Sequence, residues 1–399
     1  MITQTLQHDI DEILPGVIAD RRHLHENPEL GFQEFKTAEF VRQRLETLGV
    51  EEVQTGIAVT GVTGLIRGTG PGEARTILVR ADMDALPIHE ENNVEYRSRT
   101  DGVMHACGHD AHTAILLGVA RLLMERRSEF AGTVKLCFQP AEETPPGGAI
   151  RMIEEGVLDE PAVDAAVGLH MSSSDPTGTV RVGGGPVMAG GDLFRITVKG
   201  KGGHAASPHL VVDPIAIGAQ IVTALQTLVS RETDPMATVV VTVGMFNGGD
   251  AFNVIPDTVT FGGTVRAFDM DLLDRTNRRI GELASGIASS MGGSAEVEIM
   301  RGYPPTVNDD AMAELVRSAA VAEIGEENVL PADPKMGGED FSHFLRHRPG
   351  AYFNVGHRNE ARGITYGHHH PRFEIDEEAL GTGMRVMTSS VLHYLKEGL

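Results

Sequence analysis

Between residues 34 and 48 the apolar positions Phe35, Ala38, Val41, Leu45 and Leu48 recur at helical spacing, and Gly49 follows as a C-terminal cap. Further on the period changes. Residues 63–67, 76–80, 133–138 and 165–170 are short apolar runs without helical spacing, which is how strands buried on both faces read. A second helical pattern covers 113–126, so strands and helices alternate as a mainly parallel, layered α/β sheet requires.

At Gly183-Gly184-Gly185-Pro186 and Gly190-Gly191 the chain becomes glycine-rich and its character shifts. Beyond this point a strand is predicted over 192–199, a helix over 213–231, strands over 238–246 and 257–268, a helix over 271–291 and a strand over 294–300. That βαββαβ order describes a ferredoxin-like unit. Tyr303-Pro304-Pro305 breaks the pattern, and 351–355 reads as one more buried strand. The expectation is a discontinuous larger domain, 1–186 with 303–399, interrupted by an inserted domain, 187–302.

Composition narrows the class. A chain of 399 residues, 41% hydrophobic and 23% charged, has the makings of a globular protein of more than one domain. A net charge of −22 argues against a nucleic-acid or anionic-membrane partner, since no basic stripe offsets phosphate repulsion. No apolar run approaches the roughly 20 residues of a membrane span, and Met1 to Asp11 is polar and acidic rather than signal-like. With two cysteines and no disulfide framework, a cytoplasmic protein is expected. The Gly68 to Gly72 cluster lacks the Gly-Lys-Ser/Thr ending of a phosphate loop and reads as a turn.

The candidate chemistry lies in four islands: His105-Ala106-Cys107-Gly108-His109-Asp110, Glu142-Glu143, His170, and His368-His369-His370. Thiolate, imidazole and carboxylate are the ligand types of a zinc-like ion. Singly, each has a plainer reading: Cys107 as a small buried hydrophobe, the histidines as satisfied or solvated side chains, the glutamates as an exposed acidic pair. Their placement favours a site, because Asp82 and Asp84, Glu142 and Glu143, and His170 all stand where predicted strands end, and open α/β sheets put their sites there.

In order along the chain, Arg21-Arg22-His23-Leu24-His25, Pro28-Glu29-Leu30-Gly31-Phe32, Arg80-Ala81-Asp82-Met83-Asp84-Ala85-Leu86-Pro87, the Cys107 segment, Gln139-Pro140-Ala141-Glu142-Glu143, Gly202-Gly203-His204-Ala205-Ala206, Gly337-Gly338-Glu339-Asp340-Phe341 and His369-His370-Pro371 make a specific set. It resembles the aminoacylase, hippurate hydrolase and auxin-conjugate hydrolase group of dinuclear metalloamidohydrolases, over nearly the whole chain. The resemblance implies a metallopeptidase-like α/β/α catalytic domain with an inserted lid, acting on N-acyl-L-amino acids. Carried onto this sequence, the metal ligands fall on Cys107, His109, Glu143, His170 and His369, with Cys107 as bridge and Glu142 as general base. The pattern His, any residue, Pro selects His369 from the three late histidines. Two divalent ions per subunit are implied, zinc first, then manganese, cobalt or nickel.

Asp84 is a candidate to orient a ligand imidazole, and a structural salt bridge for Asp82 and Asp84 is the alternative. In the lid, His204, Asn253 and Arg266 resemble substrate clamps: His204 for the developing oxyanion, Asn253 and Arg266 for the amino acid's carboxylate. For Arg266 a strand salt bridge is the plainer reading. A small-molecule substrate and a homo-oligomer, dimeric or dimer-based, complete the expectation. A peptidase cutting dipeptides or a C-terminal residue, and a non-catalytic metal-binding relative, remain as alternatives.

Overall fold

The computed structural model describes residues 2–399, which form two compact units. The first comprises Met1–Val187, Val307–Asp333 and Asp340–Leu399; the second comprises Met188–Thr306 and Pro334–Glu339.

In the first unit an eight-stranded sheet runs in the order Glu51–Ile57, Gly61–Arg67, Thr133–Gln139, Thr76–Asp82, Ala165–Pro176, Gly350–Arg358, Val180–Val182, Val329–Pro331. The four middle strands from Thr133–Gln139 to Gly350–Arg358 are parallel, as expected. Strand Gly61–Arg67 pairs antiparallel with Thr133–Gln139, and Val180–Val182 antiparallel with Gly350–Arg358, so the parallel centre is flanked by antiparallel pairings. Every residue of Thr76–Asp82 is buried. Its two faces differ: Ile77, Val79 and Ala81 enter the main hydrophobic cluster, whereas Arg80 lies two residues from Asp82 on the alternate positions and meets Gln139 and Asp340. Helices Ile2–Glu26, His109–Glu125 and Glu378–Glu397 pack on one another, and the latter two also pack against the sheet.

Some boundaries moved for physical reasons. The helix expected over 113–126 begins at His109, because Gly108, at φ +93, turns the chain directly into it. The strand expected to end at His170 continues to Pro176, which places His170 within the strand, beside Asn354 of Gly350–Arg358.

The second unit is the expected βαββαβ unit. Strands Gly190–Lys199, Val239–Asn247, Thr258–Ala267 and Ser294–Met300 form an antiparallel sheet in which the first and third are central. Phe194, Ile196 and Val198 are buried while Arg195 is exposed, the alternation of a sheet covered on one face. Helices Pro214–Ser230 and Met270–Ser290 supply that cover through Ile217, Ile221, Leu225, Leu273 and Ile280. Each starts on an aspartate cap: Asp213 accepts from the Ile215 and Ala216 N–H groups, and Asp269 from that of Leu272. Among the described residues no helix is long and apolar enough to cross a membrane.

Candidate metal centre

Gly108 organises the densest cluster of donor groups. A Cβ there would come within 3.2 Å of Met171 Cβ, and φ +93 disfavours any other residue. This tight turn leaves Cys107 before the helix and makes His109 its first residue, both buried.

Three groups of side chains converge, each with donor atoms within 4.8 Å of one another: Cys107, His109 and His170; Cys107, Glu143 and His369; His109, Glu142 and Glu143. Cys107 Sγ lies 3.5 Å from His170 Nε2, and His369 Nε2 lies 3.0 Å from Glu143 Oε1. Cys107 belongs to two of the groups, which is what a thiolate shared between two cations requires.

The imidazoles are oriented as metal-binding histidines are. The Nδ1–H of His109 donates to Asp84 Oδ1 at 3.1 Å, while its Nε2 is buried with no hydrogen-bond partner among the described residues. For His170, Nδ1–H donates to the Met171 carbonyl at 2.8 Å, and Nε2 faces the Cys107 thiol at 3.5 Å. The buried Nε2 of His109, unpartnered among the described residues and grouped with thiol and carboxylate donors, fits a divalent cation.

His112 also stands near His109 and Asp82. Both of its nitrogens are committed, however: Nδ1–H donates to Asp82 Oδ1 at 2.6 Å and Nε2 accepts the Met171 N–H at 2.9 Å. It therefore supports the strand that carries His170 and has no lone pair left for a metal. Sequence reasoning missed this residue, although its spacing from His109, one helical turn, was a usable signal.

Electrostatics point the same way. Burial, followed by the nearby Glu143 and Glu142 carboxylates, raises the Cys107 thiol well above its ordinary range. Burial would lower His109, but Asp82 and the hydrogen-bonded Asp84 outweigh it and raise the imidazole to about 10. Burial would raise Glu143, and the His369 hydrogen bond with the charge of His109 holds it below the usual carboxylate range. So many acidic groups around one thiol make a strong demand for positive charge.

Of the three late histidines, His369 is the one brought to Cys107 and Glu143. Its backbone sits at φ +63 and is pinned by its N–H, which donates to the Ala106 carbonyl at 2.8 Å. His368 is half-buried against His170, with ring centroids 5.1 Å apart, and His370 stacks on Tyr366 at 4.3 Å.

Residues 78–393 match the peptidase family M20/M25/M40. The chain belongs to that family. Its relatives include the IAA-amino acid hydrolase ILR1-like 4 of Arabidopsis thaliana, 43% identical over 99% of this chain and 89% of that protein. The N-acetyl-L-cysteine deacetylase of Bacillus subtilis is 43% identical over 91% of this chain and 84% of its own length. Among solved structures, the Bacillus subtilis YXEP protein, described as a dinuclear metal binding peptidase of the M20 family, is 36% identical and superposes with a TM-score of 0.84, covering 96% of this chain and 99% of that one.

Within the family fold, second-rank residues hold the donors. Asp84 accepts the His109 ring through one oxygen and the Glu143 backbone N–H, at 2.9 Å, through the other, so one carboxylate ties two donor segments together. Arg21, fully buried, donates from Nε to Asp110 Oδ2 at 2.7 Å, and His25 Nδ1 meets the same oxygen at 2.8 Å. Arg80 pairs with Asp82 at 2.6 Å and with Asp340 at 2.8 Å.

The second unit brings together two of the three expected lid residues. His204 pairs with Val254 in a short ladder, and the Ala205 N–H donates to the Asn253 carbonyl, so His204 and Asn253 are neighbours, both exposed. His204 Nδ1 accepts the Ala206 N–H at 3.0 Å, so Nε2 carries the proton and is the donor. Arg266 lies elsewhere: it is in register with Gly191, whereas Lys199, near the His204 loop, pairs with Thr258 at the other end of the same strands. Its Nη1 donates to the Met336 carbonyl at 2.9 Å.

Proposed function

We propose that this protein is a metal-dependent amidohydrolase that cleaves N-acyl-L-amino acids to a carboxylic acid and a free amino acid. The observation carrying this reading is the pair of histidines, His109 and His170, each with Nδ1 engaged and each grouped within 4.8 Å with the shared Cys107, beside adjacent Glu142 and Glu143. Cys107, His109, Glu143, His170 and His369 would hold two divalent ions, zinc first, with manganese, cobalt or nickel as alternatives. When bound, such ions lower the pKa of water toward about 7 and polarise a carbonyl.

The chain's own residues do the rest. Glu142, next to Glu143 and buried, takes the water's proton and returns it to the departing amine nitrogen. The Nε2–H of His204, freed by the Ala206 contact, donates to the developing oxyanion, and Asn253 beside it holds substrate. Arg266 binds the amino acid's carboxylate by charge-assisted hydrogen bonds; because it lies at the far end of these strands from His204, the two would serve one substrate from different copies of the chain in the dimer-based state. Relatives named for IAA-amino acid and N-acetylcysteine substrates support the N-acyl-amino-acid reading. A small-molecule substrate, a cytoplasmic setting and a homo-oligomeric, dimer-based state belong to the same proposal.

The YXEP protein's description as a peptidase favours a second reading, a metallopeptidase cutting dipeptides or a C-terminal residue. One experiment separates them: metal-stripped protein is re-supplied with zinc or manganese and offered hippurate, N-acetyl amino acids and dipeptides. Metal-restored turnover confined to acylated substrates supports the amidohydrolase, dipeptide cleavage supports the peptidase, and metal binding without turnover removes both. Within the same assay Glu142→Gln is expected to keep metal and lose about 10² to 10⁴ in turnover.

A further inference from the structure

The residue before the proposed base is held in an unfavourable backbone conformation. Ala141 lies at φ +55, in the left-handed region, with no asparagine-like side chain to stabilise it locally, and it is fully buried. Such residues persist only where the surroundings over-determine them. At Ala141 the determinant is visible: its N–H donates to Glu34 Oε1 at 2.8 Å. The other carboxylate oxygen of Glu34 accepts the Thr60 hydroxyl at 2.6 Å, and Glu34 itself is fully buried.

Glu34 stands directly before the helix Phe35–Leu48, where a carboxylate ordinarily caps the helix. It makes no cap hydrogen bond. Glu29 does that instead, accepting from the Lys36 and Thr37 N–H groups and the Thr37 hydroxyl through one oxygen. With the helix start satisfied by Glu29, Glu34 is directed to Ala141. The two segments also meet closely on either side of this hydrogen bond, since a Cβ on Gly31 would lie 2.6 Å from Thr144 Oγ1 and 3.1 Å from Ala141 Cβ. A rotation at residue 141 redirects the chain at its neighbour, Glu142.

We infer that Glu34 is a positioning residue for the proposed base Glu142, acting through the hydrogen bond that fixes Ala141 in its left-handed conformation. This rests on the reading of Glu142 as the base. Burial, and secondarily the nearby Asp84 charge, raise the Glu34 carboxyl to about 7, while the Thr60 and Ala141 hydrogen bonds act against that rise.

The test is a set of variants assayed for kcat, KM, bound metal and thermal unfolding. Glu34→Leu removes the acceptor and is expected to lower kcat by about 10- to 100-fold, as loss of such orienting contacts does, with KM and metal content little changed. Glu34→Gln, which keeps an acceptor, retains more turnover than Glu34→Leu. Glu34→Asp retracts the acceptor but keeps the charge, and carries the same expectation if the leucine variant does not fold. Adding Ala141→Gly, which adopts φ +55 without strain, is expected to recover part of the lost kcat in either background. A purely structural role predicts loss in unfolding temperature or metal content and no recovery from glycine, and that result overturns the inference, as does unchanged kcat in both Glu34→Leu and Glu34→Asp. If Glu142→Gln itself keeps wild-type turnover, the base assignment falls and the inference with it; if Glu142→Gln is inactive while the Glu34 variants are unaffected, only the role of Glu34 falls.

Discussion

One oxygen of Asp84 accepts the Nδ1–H of His109 at 3.1 Å, and its other oxygen accepts the Glu143 backbone N–H. The first contact fixes the tautomer that leaves Nε2 free, and the second fixes the segment carrying Glu142 and Glu143. Asp84→Asn can reproduce only one of the two acceptor roles without presenting an amide N–H to a donor. Its metal affinity or turnover is expected to fall by about 10- to 100-fold, read by metal titration of the stripped protein. Unchanged affinity and turnover would reduce Asp84 to a structural contact.

Much of this arrangement was legible because its residue types are scarce and its strands short. The second unit was read almost element by element, since a one-sided sheet alternates buried and exposed positions, as Phe194, Arg195 and Ile196 do. The C-terminal helix Glu378–Glu397 was not read: it is buried nearly all round and contains Gly381 and Gly383, so no amphipathic stripe marks it. Helix Ile2–Glu26 was passed over too, with Pro15 inside it, although Leu6, Ile10, Ile13 and Val17 keep helical spacing. The contacts that hold the donors were least visible. Arg21 meets Asp110 across 89 residues and Glu34 meets Ala141 across 107, and pairings set by tertiary packing leave no local pattern.

The two cysteines are expected to behave differently. Cys107 sits among the donor groups, whereas Cys137 lies in strand Thr133–Gln139 against Met152, with Sγ and Sδ 3.8 Å apart. Cys107→Ala is expected to lose bound metal and turnover together, and Cys137→Ala to keep both while losing a little thermal stability from the smaller side chain. Metal content by mass spectrometry beside activity checks this; a metal-replete Cys107→Ala protein would remove the thiolate from the proposed ligand set.

His204 and Arg266 predict separable kinetic losses. His204 presents a donor suited to charge that develops during reaction, so His204→Ala is expected to lower kcat by about 10² to 10³ with metal retained. Arg266 would bind a carboxylate present before and during reaction, so Arg266→Met is expected to act chiefly on KM. Steady-state kinetics on one N-acyl substrate reads both, and the reverse split would exchange the roles assigned to the two residues.

His25 gives the fold a pH dependence of known sign. Its ring is buried between Asp110, at 2.8 Å from Nδ1, and Glu90, at 3.2 Å from Nε2. Burial and Arg21 would lower its pKa, but the two carboxylates outweigh them and raise it to about 9. A histidine with a raised folded-state value contributes its full stabilisation below about pH 6.5 and loses it as pH rises through about 9. The shift corresponds to something on the order of 3 kcal/mol. Other groups titrate in overlapping windows, Glu34 up to about 7 and metal-free His109 to about 10, so the difference between two proteins is the informative quantity. His25→Gln is therefore expected to be most destabilised relative to wild type near pH 6, with the gap closing toward pH 9, in urea unfolding of chelator-treated protein. A gap that stays constant across that range would mean that His25 is held neutral between Asp110 and Glu90 and contributes through packing alone.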